Sequence, residues 1–311
     1  MSLARLRSKE VSPRRFVQLA TASLLSLYLV VTSGAVVRLT ASGLGCDNWP
    51  RCGDKPYPEK GGHALIEFGN RIVALVGIAL TLVTWLAARR VRSLPLAVQW
   101  TALAAFAGTL AQVPLGGITV ILELHPIAVM SHFLLALVVL SLAIVVAIEA
   151  WSFARGLAPP AVRTWLLRAA TVPVVACAVL IVTGAIATAS GPHSGGEDIR
   201  RLGIPVNDAV YVHVRASAVY GIGFVALGWL LVRRLRRTYP GLVLAGITLL
   251  AVLLVQMAVG EIQYRNALPW GLVVVHVALG ATIWSLTVGI AYALWRPPVS
   301  VTRSAVLAVR Q

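Results

Sequence analysis

Long apolar runs alternate with short polar segments along nearly the whole chain. The runs cover about residues 16–37, 65–88, 96–119, 127–150, 166–189, 213–232, 241–260 and 270–294. A run of ~20 apolar residues is long enough to span a bilayer as a helix, and backbone exposed to lipid must form its hydrogen bonds within its own segment. The pattern therefore predicts an all-α integral membrane protein with eight transmembrane helices.

Composition agrees with a membrane location. Of the 311 residues, 58% are apolar and only 12% are charged, a balance that few soluble domains have. The first apolar run is too long for a cleavable signal peptide and has no small-residue cleavage site followed by a soluble domain. We therefore expect it to be the first membrane helix.

The distribution of charge predicts the topology. Of the 27 basic residues, 18 lie in the two tails and in the segments that follow helices 2, 4 and 6, where only two of the 11 acidic residues occur. Positive charge favours the cytoplasmic side. We expect a multi-pass protein of the plasma membrane with both termini cytoplasmic. The net charge of +16 then faces anionic membrane lipid and not a nucleic acid.

One stretch of the chain occurs twice. Gln112 to His132 and Gln256 to His276 have the same Gln-to-His interval, lie 144 residues apart, and carry a glycine four places after the glutamine. Further identities at this offset are Arg71/Arg215, Gly77/Gly221, Ile118/Ile262, Leu124/Leu268 and Val129/Val273. We predict two pseudo-symmetric four-helix halves at 1–150 and 166–311, joined by a cytoplasmic linker at 151–165.

Three histidines fall near the outer ends of helices 4, 6 and 8, and helix 2 has Asn70 at the same level. They are His132, His213 and His276. A single histidine at a membrane boundary can simply bond a backbone carbonyl. Three at one depth favour a cofactor site between facing helices, and paired imidazoles are typical haem ligands. Arg71 and Arg215 are then candidates to bind haem propionates.

Helix 2 carries a carboxylate among apolar neighbours. Glu67 lies four residues after His63 and four before Arg71, so all three share one helix face. A buried carboxylate at a membrane boundary is costly without a partner. Two interpretations stay open, namely an ion pair with Arg71 and an acid/base group that faces a cavity.

Two cysteines lie in the long outer loop between helices 1 and 2. Cys46 and Cys52 can form a structural disulfide on an exported face, or they can act as a redox-active pair. Two thiols with only His63 nearby are too few for a zinc site. Cys177, inside helix 5, is expected to be a small buried residue.

Several motifs together resemble heme A synthase over nearly the whole chain. They are GAVVRLTASGLGCDNWPRC, IEFGNR, SGPH at 190–193, and the units Gln112…Pro126…His132 and Gln256…Tyr264…Pro269…His276. The resemblance implies an enzyme of eight helices in two halves, which oxidises the C8 methyl of heme O to a formyl group by successive hydroxylations. Because arginine far outnumbers lysine, we expect a GC-rich bacterial source. The resemblance is to bacterial members of actinobacterial type.

The resemblance also implies roles for individual residues. His213 and His276 would be the axial ligands of a resident haem b, and His132 would bind the iron of the substrate, heme O. The family's outer-loop cysteine pair corresponds to Cys46 and Cys52, which makes a disulfide the expectation, and its acidic catalytic residue corresponds to Glu67. The expected partners are heme O and the synthase that supplies it.

One departure from the family concerns helix 2. Many members have histidine where this chain has Asn70, and a carboxamide is a poor ligand for haem iron. Either His132 holds the substrate alone and leaves the sixth position open, or His63 takes the second position.

Two other functions compete with the synthase. A di-haem b-type membrane electron carrier, coupled to quinone or thiol, would need two complete histidine pairs, and Asn70 breaks one of them. A transporter with a duplicated fold would have broken helices and charges near the membrane midplane, whereas the polar residues here cluster at the outer boundary.

Overall fold

A computed structural model describes residues 10–46, 48–58, 61–156, 164–193, 195–196, 199–237 and 240–295. In this part of the chain there are eight helices and no strands: α1 (Pro13–Leu39), α2 (Gly62–Ala88), α3 (Leu96–Ile121), α4 (Pro126–Ala154), α5 (Thr164–Ser190), α6 (Val206–Leu235), α7 (Pro240–Arg265) and α8 (Trp270–Trp295). All eight contain a stretch long and apolar enough to cross a bilayer. The predicted all-α membrane fold is confirmed.

Parts of the sequence prediction lie outside the described residues. These are the basic tails at 1–9 and 296–311 and part of the linker, at 157–163. The linker itself is shorter than predicted, because α4 continues to Ala154 and α5 begins at Thr164.

Helix α6 begins seven residues earlier than the apolar run suggested, at Val206 and not at 213. Its first turn contains Asp208, a residue that interacts favourably with the positive end of the helix dipole. The first turns are too polar to count as part of a membrane span, although they are helical. His213 therefore lies ~10 Å inside the helix, since each residue adds ~1.5 Å.

The two halves pack in the same way. In the first half α1 and α3 both contact α2 and α4, and in the second half α5 and α7 both contact α6 and α8. The second and fourth helices of each half consequently lie across from one another. The contact between α6 and α7 is much smaller than that between α2 and α3, so the second half is more open on this side.

The turns that join α3 to α4 and α7 to α8 repeat in atomic detail. Leu124 N donates to Thr119 O and Leu268 N donates to Gln263 O, both at 2.8 Å. The two middle residues of each turn have positive φ, with φ 49° and 57° at Glu123 and Leu124 and 58° and 59° at Ala267 and Leu268. The offset of 144 residues therefore holds in three dimensions for these helices.

The halves meet where α1 and α4 pack against α8. A buried cluster crosses this boundary and includes Leu140 from α4 and Ala281 from α8. Tyr28 Oη donates to Ala278 O at 3.0 Å, and Trp284 Nε1 donates to Leu137 O at 3.0 Å. Cross-helix hydrogen bonds and close packing of small residues are the main sources of helix association in lipid.

Large apolar side chains cover the outside of the bundle. Leu25, Ile222 and Leu244, on three different helices, are 58%, 72% and 66% exposed. Contiguous apolar surface of this kind marks contact with membrane or partner, and its placement along spanning helices indicates lipid. Helix direction alternates, so the loops 40–61, 122–125, 191–205 and 266–269 share one end of the bundle, called the long-loop face below.

Candidate functional site

Two histidines face each other across the second half. The imidazole rings of His213 on α6 and His276 on α8 have centroids 6.3 Å apart and planes inclined by 71°. Two imidazoles that bind one metal ion through nitrogens at ~2 Å each have ring centroids roughly 6 Å apart. The spacing therefore fits axial ligation of a single iron.

Glycines leave room for both rings. A Cβ atom added at Gly184 on α5 would lie 2.9 Å from His213 Cε1, and one added at Gly260 on α7 would lie 3.1 Å from His276 Cε1. Contacts this short would push the ring aside. Each flanking helix thus contributes a glycine that allows an imidazole to turn toward the centre of the half. Thr183 Oγ1, adjacent to Gly184, lies 3.2 Å from His213 Nδ1.

The repeated glutamines hold the histidine backbone. Gln256 Nε2 donates to His276 O at 3.1 Å, and Gln112 Nε2 donates to His132 O at 3.2 Å. In both pairs the glutamine Oε1 and the histidine Nδ1 are buried without a hydrogen-bond partner. Unpartnered buried polar atoms are costly. With the proton on Nδ1, the Nε2 lone pair of each histidine would be available to bind a metal.

The first half has a single histidine in the equivalent place. His132 on α4 has the same glutamine contact, and a Cβ atom at Gly116 would lie 3.3 Å from its Cε1. From α2 the candidate partner is Asn70, whose Oδ1 accepts a hydrogen bond from Ser33 Oγ at 2.7 Å. The structure thus has one histidine pair and one histidine opposite a helix that carries asparagine.

Both oxygens of Glu67 are occupied. The side chain is buried; Arg71 Nη2 lies 2.5 Å from Oε1, and the Cys46 backbone N–H donates to Oε2 at 2.8 Å. The ion-pair interpretation describes this geometry. The acid/base role of Glu67 stays a prediction.

The disulfide between Cys46 and Cys52 is confirmed. Arg71 Nη1 donates to Pro50 O and Arg51 O, both at 3.0 Å, and so ties the disulfide loop to α2. The ring of Trp49 lies against α3, where a Cβ atom at Gly117 would be 2.9 Å away. The loop therefore covers the long-loop end of the first half, next to the glycine that accommodates His132.

The two predicted propionate-binding arginines differ in their surroundings. Arg71 already makes three hydrogen bonds within the protein. Arg215 is exposed, stacks on the ring of Tyr211 at 3.0 Å and donates to Tyr211 O at 3.3 Å, with no carboxylate partner among the described residues. Arg215 therefore has fewer protein partners than Arg71. Both propionate-binding roles stay predictions.

His63 lies at the second position of α2, exposed, with Nδ1 2.9 Å from Ser42 Oγ. It is seven residues from Asn70, or ~10 Å along the helix axis. Its proposed substitution for the helix-2 ligand stays a prediction, and the bond to Ser42 gives it a local structural partner.

The sequence interpretation missed an arginine that connects the halves. Arg38 near the end of α1 donates through Nε to His193 O and through Nη2 to Thr188 O, both at 3.1 Å. His193 Nε2 in turn lies 2.6 Å from Leu268 O. The sequence could have indicated this role, because an arginine within an apolar helix usually has a specific partner.

The fold is that of a multi-pass helical membrane protein whose two halves repeat the same helix packing, with a histidine at the equivalent position of α4 and α8. The family model for cytochrome oxidase assembly proteins, COX15-CtaA, matches residues 17–192, which is more than half of the chain. The chain therefore belongs to the COX15-CtaA family. The match includes Glu67, His132 and the disulfide loop. No curated protein matches the chain.

Proposed function

We propose that the chain is a heme A synthase, which oxidises the C8 methyl of heme O to a formyl group and supplies heme A to terminal oxidases. One observation carries the proposal. Both halves have the same Gln–Gly–His unit, but only the second half pairs its histidine with another imidazole. A closed bis-imidazole site suits a resident redox haem, whereas a site with one imidazole suits a haem that must react and leave.

In the second half His213 and His276 would hold haem b, which supplies one-electron redox chemistry when bound. Gly184 and Gly260 give the rings room, and Gln256 holds the backbone of His276. Arg215, exposed and free of a carboxylate partner among described residues, would bind a propionate. The alternative carrier function would need an equally complete pair in the first half.

In the first half His132 would bind the substrate iron. Glu67 would act as the acid/base or substrate-positioning group, and its ion pair with Arg71 keeps the carboxylate oriented near the disulfide loop. Trp49 against Gly117 would close this end of the half to water. The cysteine pair would then stabilise the cover, and a redox role for it remains the alternative.

The proposal includes a location. The protein would lie in the plasma membrane of a bacterium with both termini cytoplasmic, so that the long-loop face points outward. A disulfide on that face agrees with an oxidising compartment. Heme O, which is membrane-soluble, would arrive from its own synthase in the same bilayer.

Haem extraction and chromatography test the proposal. The protein is co-expressed with a source of heme O, and wild type is compared with His132→Ala, Glu67→Gln and the control His125→Ala. We expect heme A or its hydroxylated precursor in wild type and the control, and heme O without oxidised product in the other two. Haem b alone in all four proteins, with reversible reduction, would instead favour the electron carrier.

A further inference from the structure

A short motif on α1 recurs on α5 and makes the same contact in each half. Ser33-Gly34-Ala35 corresponds to Thr183-Gly184-Ala185. The hydroxyl of Thr183 lies 3.2 Å from His213 Nδ1, and the hydroxyl of Ser33 donates to Asn70 Oδ1 at 2.7 Å. The following glycine also faces the same side chain in each half, since an added Cβ would lie 2.9 Å from the His213 ring and 4.0 Å from Asn70 Oδ1.

These contacts place Asn70 at the position in the first half that His213 has in the second, although a constant offset in residue number does not pair the two residues. Helices α2 and α6 start 144 residues apart, and at that offset His213 corresponds to Gly69. The motif on α1 and α5 has an offset of 150 residues. Because the helices are separated by loops of different length, the position of a side chain in the bundle follows from its neighbours and not from a single offset.

On the other side of each site, the two corresponding histidines are related by the constant offset of 144 residues. His132 and His276 are 144 residues apart, each has its backbone carbonyl bonded by a glutamine, and each packs on a glycine. In both halves these histidines lie on the helix across from the one that carries Asn70 or His213. The first half therefore replaces one of two imidazoles with a carboxamide.

The carboxamide of Asn70 has a defined orientation. Its oxygen accepts from Ser33, so its amide nitrogen is the end left for other contacts. The nitrogen carries two N–H donors and makes no hydrogen bond to a described residue. A neutral amide held in this way is a weak metal ligand and a good hydrogen-bond donor.

We propose that Asn70 is the distal residue of the substrate site: His132 binds the substrate haem on one side, and the Asn70 amide donates a hydrogen bond to an exogenous ligand at the open sixth position on the other. This inference rests on the proposed function. It implies that haem iron would have one protein ligand in the first half and two in the second. The difference follows from a single residue, Asn70 in place of a histidine, because the surrounding contacts are the same in both halves.

Cyanide binding and spin state test the assignment without measuring turnover. The purified protein is loaded with haemin, oxidised, and studied by absorption and electron paramagnetic resonance. We expect two haems in wild type, one low-spin and one high-spin, and cyanide binding at the high-spin haem only. Asn70→His should convert the second haem to low-spin and abolish cyanide binding.

Asn70→Leu tests whether the Asn70 amide donates a hydrogen bond to the bound ligand or only fills space beside it. We expect the second haem to stay high-spin and to bind cyanide at least about tenfold more weakly, because a hydrogen bond to a charged ligand is lost. Asn266→Leu, on the turn between α7 and α8, is the matched control and should bind cyanide as wild type does. The low-spin signal of the second half reports correct folding in every variant.

The outcomes separate this inference from the proposed function. A low-spin second haem in wild type, or unchanged cyanide affinity in Asn70→Leu, would overturn the role of Asn70 and leave the synthase intact. If wild type and Asn70→His both take up only one haem, the site in the first half does not exist, and the inference and the proposed function fail together.

Discussion

Glu67 and Arg71, one turn apart on α2, form an ion pair in which Nη2 lies 2.5 Å from Oε1, and both side chains also bind the backbone of the disulfide loop. The carboxylate accepts from the N–H of Cys46, and the guanidinium donates to the carbonyls of Pro50 and Arg51. The loop is thus positioned by two helix residues as well as closed by its own covalent bond.

Loss of Arg71 should release the loop. In Arg71→Ala three hydrogen bonds disappear and Glu67 stays buried without its cation, which we expect to cost about 2–3 kcal/mol of stability. Thermal unfolding in detergent measures the loss, and limited proteolysis between residues 40 and 61 measures loop release. Arg51→Ala is the control, since the Arg51 side chain is exposed. Equal protease sensitivity in the two variants would contradict the positioning role of Arg71.

If His213 and His276 bind haem b as proposed, a methyl group beside either imidazole should displace it. Gly184→Ala and Gly260→Ala place Cβ 2.9 Å and 3.1 Å from an imidazole Cε1, so we expect a large fall in haem b content with the helices intact. The haem-to-protein absorbance ratio of the purified protein measures this. Gly221→Ala, in the same half but with open space around the added Cβ, should keep its haem, and an equal loss there would argue for general destabilisation.

Gln256 should support haem binding at His276, the proposed iron ligand, because it bonds the backbone of that residue. Gln256→Leu removes the hydrogen bond to His276 O. Loss of such outer-shell partners typically lowers metal affinity about 10–100-fold. Gln256→Glu loses the same hydrogen bond, because a carboxylate has no N–H to donate to His276 O, so we expect a similar loss of haem. The haem-to-protein absorbance ratio of the purified variants measures the loss, and a haem content equal to that of wild type in both variants would contradict a role for this hydrogen bond.

Arg38 should hold the long-loop face of the two halves together. Arg38→Leu leaves the carbonyls of Thr188 and His193 without this donor, and we expect a loss of about 2 kcal/mol. The midpoint of thermal unfolding in detergent measures the effect. Arg201→Leu, an exposed arginine on the same face, should unfold as wild type does. A midpoint for Arg38→Leu that matches the control would show that the two bonds add nothing.

The hydrophobic pattern was sufficient for the eight helices, because a bilayer leaves an apolar run no alternative to internal hydrogen bonding. It was insufficient for the start of α6, where Asn207 and Asp208 are polar although helical. The local sequence also showed the repeat of Gln112 and His132, since the repeat depends on residue identity and spacing along one chain. The Cys46–Cys52 disulfide was the expectation from the family resemblance, whereas the residues alone left a redox-active pair open.

Tertiary structure decided which side chains meet. Glu67 could have faced a cavity or Arg71, and only the packed loop shows that both carboxylate oxygens are taken. The shared contact of Ser33 with Asn70 and of Thr183 with His213 likewise appears only in the packed structure, because the partners lie on neighbouring helices. The physical reason is that a sequence determines the period and length of each membrane helix locally, whereas its rotation and depth against its neighbours follow from packing among residues far apart in the chain.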